Sequence, residues 1–216
     1  MDIYSTVVGF FQSGGIFMYP IVLILALGLA IALERWLYLS KARITNQLVW
    51  KKLLPLLQSG DHQQAARVIG KSKAALSNIL AYGMNRARTT RRRDDVEIAM
   101  EEGLMEALPQ LEKRTPYLAT FANIATLLGL LGTIIGLIQA FTAVANANPA
   151  EKADMLSASI SVAMNKTAFG LMVAIPLLLI YAVLQTRTTQ IVDSIEMASV
   201  KFLNLLTDRQ ASGSAA

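Results

Sequence analysis

Apolar residues are concentrated in three long blocks that are separated by polar stretches. The blocks cover residues 16–33, 117–145 and 160–184. Each can supply the roughly 20 residues that a helix needs to cross the hydrocarbon core of a bilayer. No stretch alternates between apolar and polar residues at the period of a strand. The pattern therefore predicts an all-α membrane protein with three transmembrane helices.

The composition agrees with a membrane location. Of 216 residues, 54% are hydrophobic and 16% are charged, with a mean hydropathy of +0.44. Soluble domains average about 45–50% apolar and about 25% charged residues. The leader before the first block contains Asp2 and neither Lys nor Arg, and no small-residue cleavage site follows the block. We therefore expect a retained span and not a signal peptide.

The residue types that enzymes and metal sites need are scarce. Cysteine is absent and His62 is the single histidine. The sequence contains no glycine-rich phosphate loop and no Ser/His/Asp arrangement. We predict that the chain is not an enzyme and that it has no cofactor or bound metal.

Positive charge is distributed unevenly among the polar stretches. Fifteen of the twenty Lys and Arg residues lie between Arg35 and Arg114, whereas the loop from Asn146 to Asp154 contains only Lys152. The positive-inside rule then places the stretch after the first block in the cytoplasm and the N-terminus outside. The triplet Arg91–Arg93 could indicate nucleic acid, but beside a membrane we interpret it as topology and expect no nucleic-acid partner.

The basic stretch has the signals of a helical region. Ser59 and Gly60 precede Asp61, which is expected to cap a helix that stops near Gly70. A short helix is then predicted over 74–87. A longer helix follows, opened by Asp94 or Asp95, and the prolines at 109 and 116 can bend this longer helix. The second and third transmembrane helices are therefore expected to be long and to extend into a helical cytoplasmic region. Asn148, Pro149 and Glu151 predict that the third helix begins near Pro149.

The second block contains small and polar residues that a simple anchor does not need. Gly129, Gly132 and Gly136 lie along it, and the last two form a GxxxG pair that permits close helix packing. Thr133 brings a hydroxyl that requires a partner or a wet cavity. Together these residues predict a packed assembly around a polar path.

The third block begins with a polar stripe. Ser157, Ser161 and Asn165 recur every four residues and share one helix face. The stripe fits a helix that emerges into water or packs through small residues, and it fits equally well a polar lining for ions. The spacing does not choose between these interpretations.

The sequence resembles the MotA/TolQ/ExbB proton-channel family, and most closely its ExbB/TolQ branch. Three segments carry the resemblance: MYPIVLILALGLAIALERWLYL, IATLLGLLGTIIGLIQAF and KTAFGLMVAIPLLLIYAVL. The resemblance implies a homo-oligomer, typically of five subunits, around a smaller single-span subunit of the ExbD/TolR/MotB type. The resemblance also implies that this partner carries a membrane-embedded aspartate, which binds and releases H⁺ or Na⁺.

Site residues follow from the matching motifs. The resemblance places Thr133 and Thr167 on the ion path, where a hydroxyl can relay a proton or coordinate a cation. A threonine in an isolated span can instead bond only back to its own helix. Residues of the same motifs are expected to pack helices: Gly129, Gly132, Gly136, Gly170 and Pro176.

The chain departs from the family pattern at two positions. Val162 stands where members often carry a glutamate, and Lys166 stands where a small residue is more common. A mechanism that needs a carboxylate on this subunit is therefore in doubt. Lys166 can snorkel outward, pair with Asp154 or with the partner's aspartate, or bias the ion path electrostatically.

The resemblance completes the predicted organisation and function. A periplasmic segment (1–15) precedes transmembrane helices at 16–39, 116–145 and 157–185, with a cytoplasmic helical region (40–115), a periplasmic loop (146–156) and a cytoplasmic tail (186–216). The predicted role is an ion-conducting subunit, in the bacterial inner membrane, of a complex that couples ion flow to work or transport in the envelope. The alternative is a non-conducting membrane scaffold.

Overall fold

The computed structural model describes residues 15–90, 92–145 and 147–213, and these residues form helices without any strand. A 3₁₀ turn at Gly15–Phe17 precedes six α-helices, which we number in chain order. They are α1 (Met18–Ser59), α2 (His62–Lys71), α3 (Ala75–Thr89), α4 (Arg93–Glu112), α5 (Thr115–Ala145) and α6 (Lys152–Gly213). Three helical stretches are long and apolar enough to cross a membrane: Gly15–Ser59, Arg93–Ala145 and Lys152–Leu206. The predicted all-α fold with three spans is confirmed.

The chain divides into two compact units. The first contains residues 1–34 and 114–183, and we call it the membrane unit because it includes the three apolar blocks. The second contains residues 35–113 and 184–216, and we call it the polar unit. The predicted N-terminal segment up to residue 14, Asn146 at the start of the predicted loop, Arg91 and the last three residues of the tail lie outside the described residues.

The apolar part of the membrane unit has the height of a bilayer core. At one end Arg114 Nη1 lies 2.6 Å from Glu34 Oε2. At the other end Lys166 lies over the ring of Phe17. Residues 18–34 of α1 and 115–132 of α5 each span about 25 Å at 1.5 Å per residue. This height is close to the roughly 30 Å of the hydrocarbon core.

The polar unit is held by buried side chains and by polar contacts to the main chain. Leu80, Met100 and Phe202 are buried in its core. Arg35 is 2% exposed and donates to the carbonyl oxygens of Leu111 and, at 3.4 Å, Gln110. Because the last carbonyls of a helix have no partner within it, Arg35 satisfies the C-terminus of α4. The sequence analysis treated Arg35 only as a topological charge and missed this role.

Most helix boundaries fall within a few residues of the prediction. The Asp61 carboxylate accepts from the Gln64 amide at 2.9 Å, which confirms the predicted cap, and Gly60 enables the preceding turn with a φ of 82°. The helix that Asp61 caps continues to Lys71, one residue past the predicted stop at Gly70. The prolines at 109 and 116 lie inside α4 and in the first turn of α5, and the chain breaks between them at Arg114, with a φ of 65°.

Two predicted helix starts were wrong by one to three residues. The α4 helix begins at Arg93, before the two aspartates that were expected to open it. The α6 helix begins at Lys152 and not near Pro149. There the Glu151 amide donates to the Asn148 carbonyl at 3.0 Å, which makes a three-residue turn, and the four-residue helical pattern starts only with Met155 bonding to Glu151.

Candidate functional site

The structure brings the two threonines from the predicted ion path into direct contact. Thr133 lies on α5 and Thr167 on α6, and their hydroxyl oxygens are hydrogen-bonded to each other. Thr133 also lies 3.1 Å from the Gly129 carbonyl oxygen and 3.2 Å from that of Ala163. The Thr167 hydroxyl lies 3.1 Å from the same Gly129 oxygen. Four oxygens from two helices therefore meet at one point in the membrane unit.

The bonding of the pair is not restricted to one helix. Thr133 does bond back to Gly129 on its own helix, four residues earlier, but it also reaches Ala163 on α6. Thr167 reaches Gly129 on α5. The interpretation in which either threonine bonds only to its own helix is therefore wrong. Two hydroxyl hydrogens face two carbonyl oxygens and two hydroxyl oxygens, so the bonds can be arranged in more than one way.

Two glycines allow α5 and α6 to approach at the level of the threonines. A Cβ on Gly170 would lie 2.7 Å from the Ala125 carbonyl oxygen, and one on Gly129 would lie 3.0 Å from the Lys166 carbonyl oxygen. Both obstacles are backbone atoms of the opposite helix. The threonine contact therefore depends on glycine at these two positions, since a larger residue would separate the helices.

The GxxxG pair faces side chains of the same chain. A Cβ on Gly132 would lie 3.0 Å from Lys166 Cδ and 3.3 Å from Phe17 Cβ. One on Gly136 would lie 2.9 Å from Ala163 Cβ. Within the chain these glycines make room for Lys166 and Ala163.

The other predicted packing residue, Pro176, lies inside α6 and is exposed in this unit. A packing role for Pro176 would therefore have to involve another chain. Its neighbour Leu177 is fully buried, and a Cβ added to Gly28 of α1 would lie 2.7 Å from Leu177 Cδ2.

Lys166 is the single buried charged residue among the described residues of the membrane unit, with 8% of its surface exposed. Its ammonium lies 5.9 Å from the centroid of the Phe17 ring, within the range of a cation–π interaction. No carboxylate of the described residues lies within 4.0 Å of it, and Asp154 is exposed. The predicted pairing with Asp154 is therefore not found.

Phe17 was missed by the sequence analysis, and no spacing rule links it to a residue about 150 positions away. The remaining polar positions of the third block are less enclosed. Val162 is 37% exposed, Ser157 and Ser161 are exposed, and Asn165 is half-buried. The stripe therefore faces away from the packed interior of the membrane unit.

Comparison with known proteins shows which family the chain is similar to. A sequence profile of the MotA/TolQ/ExbB proton channel family matches residues 71–197, more than half of the chain. An ExbB homolog from Methanothermobacter thermautotrophicus, named as a biopolymer transport protein, is 32% identical over 91% of this chain and 69% of its own length. The Tol-Pal system protein TolQ of Haemophilus influenzae is 36% identical over 54% of this chain and 50% of its own length. An ExbB-like biopolymer transport protein of Synechocystis is 28% identical over 83% of this chain and 90% of its own length.

The family match covers the helices that bring the threonines together, and the relatives are named for ExbB and TolQ. The three apolar helices agree with a protein of the membrane. This chain belongs to the MotA/TolQ/ExbB proton channel family, in its ExbB/TolQ branch.

Proposed function

We propose that this chain is the ion-conducting subunit of an inner-membrane energy-transducing complex. The observation that carries the proposal is the contact between the Thr133 and Thr167 hydroxyls, with the Gly129 carbonyl beside both. Membership of a proton-channel family supports the same role. In the proposed complex several copies, typically five, surround a smaller ExbD/TolR-like subunit that brings a membrane aspartate.

The hydroxyl pair is better suited to relaying protons than to binding an ion at a fixed position. Each hydroxyl can donate one bond and accept two, so a proton that enters on one side can be matched by one that leaves on the other. Neither residue is ionised at neutral pH, so the path has no second buried negative charge to desolvate. The carboxylate chemistry is then left to the partner subunit, which is consistent with Val162 at the position where the family resemblance implies a glutamate in many members. We propose H⁺ as the transported ion.

Removal of the hydroxyls tests this proposal. Thr133→Val and Thr167→Val keep the shape of the side chain, so we expect normal expression and a proton flux reduced by at least about tenfold, equivalent to about 1.4 kcal/mol in the barrier. The assay is proton flux in vesicles that contain this chain and its partner. Val162→Ala is the matched control, since it changes a side chain on the same helix that carries no exchangeable proton. Wild-type flux in both threonine variants would exclude the relay, whereas no proton flux in the wild-type complex would favour the scaffold alternative.

We also propose that the N-terminus and the α5–α6 loop face the periplasm and that the polar unit faces the cytoplasm. The support is the charge asymmetry, with fifteen of twenty basic residues between Arg35 and Arg114. Cysteines introduced at Asn148 and at Arg92 should react differently with a membrane-impermeant thiol reagent in intact cells. Only the Asn148 position should be labelled. Equal labelling of both positions would contradict the orientation.

A further inference from the structure

A groove of about 230 Å³ lies between α4 and α6 in the polar unit. Its rim has three exposed carboxylates and its floor is apolar, with Met100 and Leu203 at 4% exposure. We call it the acidic groove, and its lining includes Glu97, Glu101, Glu196, Met100, Val200 and Leu203. Three like charges around an apolar floor repel one another, and the 53% exposed Val200 faces water. A cationic partner with a long apolar stem would relieve both costs.

Such cations occur on the same unit, at the end of α3 and the start of α4. We call them the arginine patch: Arg86, Arg88 and Arg92, all of them exposed. Arg93 is not part of the patch, because it donates to Asn204 Oδ1 on α6 at 2.9 Å, beside the groove residue Leu203. Among the residues that the structure describes, no carboxylate oxygen lies within 4.0 Å of a patch arginine. No groove glutamate is paired with a base of these residues either. The two charged surfaces therefore do not neutralise each other within one copy.

The patch and the groove lie at matching levels along the helices. Glu97 lies five residues after Arg92, the residue that precedes α4, which is a rise of about 7.5 Å. Arg86 lines a second cavity together with Ile98, the neighbour of Glu97, so it lies at the same level on α3. In a ring of copies related by rotation about an axis parallel to these helices, the patch of one copy stands level with the groove of the next. A contact between two different surfaces of this kind generates a closed ring when the rotation closes.

We propose that the acidic groove of each copy receives the arginine patch of a neighbouring copy of this chain. The arginine stems cover the apolar floor while their guanidinium groups pair with the groove glutamates. This inference rests on the homo-oligomer of the proposed function and deepens it by naming the two surfaces that join the copies. It also makes the ring directional, because the groove lies against Glu97 and Met100 of α4, whereas Arg86 of the patch lies against Ile98 and Ala99 on the opposite face of that helix.

Charge exchange between the two surfaces tests the contact. One variant carries Glu97→Lys and Glu101→Lys, a second carries Arg88→Glu and Arg92→Glu, and a third carries all four changes. We expect each of the first two to weaken self-association of the purified protein at least about tenfold, as measured by native mass spectrometry and light scattering. The third variant has the net charge of the wild type and places opposite charges at the four exchanged positions. We expect it to recover the wild-type oligomer.

A matched control separates the contact from a general effect of charge. Lys51→Glu with Lys52→Glu reverses two adjacent exposed bases of the same unit outside the patch, and the oligomer should not change. Circular dichroism checks that each variant stays helical. An intact oligomer in both two-residue variants, or a four-residue variant no better assembled than they are, would overturn the proposal. A wild-type chain that is monomeric would instead remove the homo-oligomeric pore itself, so the two failures are distinguishable.

Discussion

Gly170 in the membrane unit and Gly83 in the polar unit are both tightly packed, but against different kinds of atom. In the membrane unit a Cβ on Gly170 would meet the Ala125 carbonyl at 2.7 Å, so one backbone lies against another. In the polar unit a Cβ on Gly83 would meet Met100 Cγ and Sδ, also at 2.7 Å, so a flexible side chain fills the space. The distances are alike, but a carbonyl fixed in a helix cannot move away, whereas a methionine can change rotamer.

The difference follows from the surroundings of each unit. Lipid chains are as apolar as leucine, so helices in a membrane gain little from bringing apolar side chains together and associate through close backbone contact and hydrogen bonds. In water the burial of large side chains itself drives packing. The polar unit accordingly has Phe202 and Leu80 in its core, and the membrane unit has Gly129 and Gly170 where α5 crosses α6.

The largest expected difference in stability between the units comes from replacing one tightly packed glycine in each unit with alanine. Gly170→Ala should destabilise the protein by about 2 kcal/mol, because overpacking against fixed atoms costs up to about 3 kcal/mol and the gain of about 1 kcal/mol in helix propensity offsets only part of it. Gly83→Ala should be close to neutral, since the shift of Met100 is offset by a gain of about 1 kcal/mol in helix propensity. Thermal unfolding in detergent measures both, and equal losses would contradict the comparison. Gly70→Ala, with nothing within 4 Å of the added carbon, is a control that should stabilise α2.

A second and smaller difference in stability between the units is expected when one lysine in each is made neutral. Lys166→Met keeps the stem that packs on Gly132 and removes an ammonium that is buried without a carboxylate among the described residues. We expect the variant to raise stability by about 1 kcal/mol, because removal of an uncompensated buried charge is favourable. Lys52→Met in the polar unit, where the lysine is exposed, should change little. Unfolding midpoints in detergent provide the measurement, and a clear loss of stability in Lys166→Met would show that the charge has a partner in the assembled protein.

The smallest effect concerns an exposed hydrogen bond of the polar unit. The Tyr82 hydroxyl donates to Glu106 Oε2 at 2.8 Å, and this bond, with the negative charge of Glu106, raises the pKa of Tyr82 above its usual value of 10.0. The bond should support the fold fully below about pH 10 and lose its effect as pH rises through the raised pKa. Tyr82→Phe should shift the unfolding midpoint by no more than about one degree at neutral pH.

Ultraviolet titration of tyrosine ionisation checks this prediction directly. The wild type should show a tyrosine that ionises late, and Tyr82→Phe should lose that component. Tyr117→Phe is the control, because Tyr117 is exposed in the membrane unit. Loss of the late component in the control, or its survival in Tyr82→Phe, would assign the raised pKa to another residue.

Much of the candidate site could be predicted because its signals are local. Thr133 and Thr167 were found from short motifs, and Gly129 and Gly170 from the same segments. Arg35 and Phe17 were not found, because their partners lie about 75 and 150 residues away and no periodic pattern connects such positions. The start of α6 was misplaced because Asn148, Pro149 and Glu151 fit a helix cap and also fit the turn that actually forms.

The sequence by itself determined the three apolar helices, the helical polar region and the positions of the hydroxyls, since hydropathy, period and turn residues act within one or two dozen residues. Only the tertiary structure decided which atoms meet. It placed the Thr133 and Thr167 hydroxyls in contact, Lys166 beside Phe17 and Arg35 at the end of α4. Each of these contacts depends on how far apart and at what rotation two helices pack. That geometry is set by the sum of many small contacts along both helices and not by any local pattern.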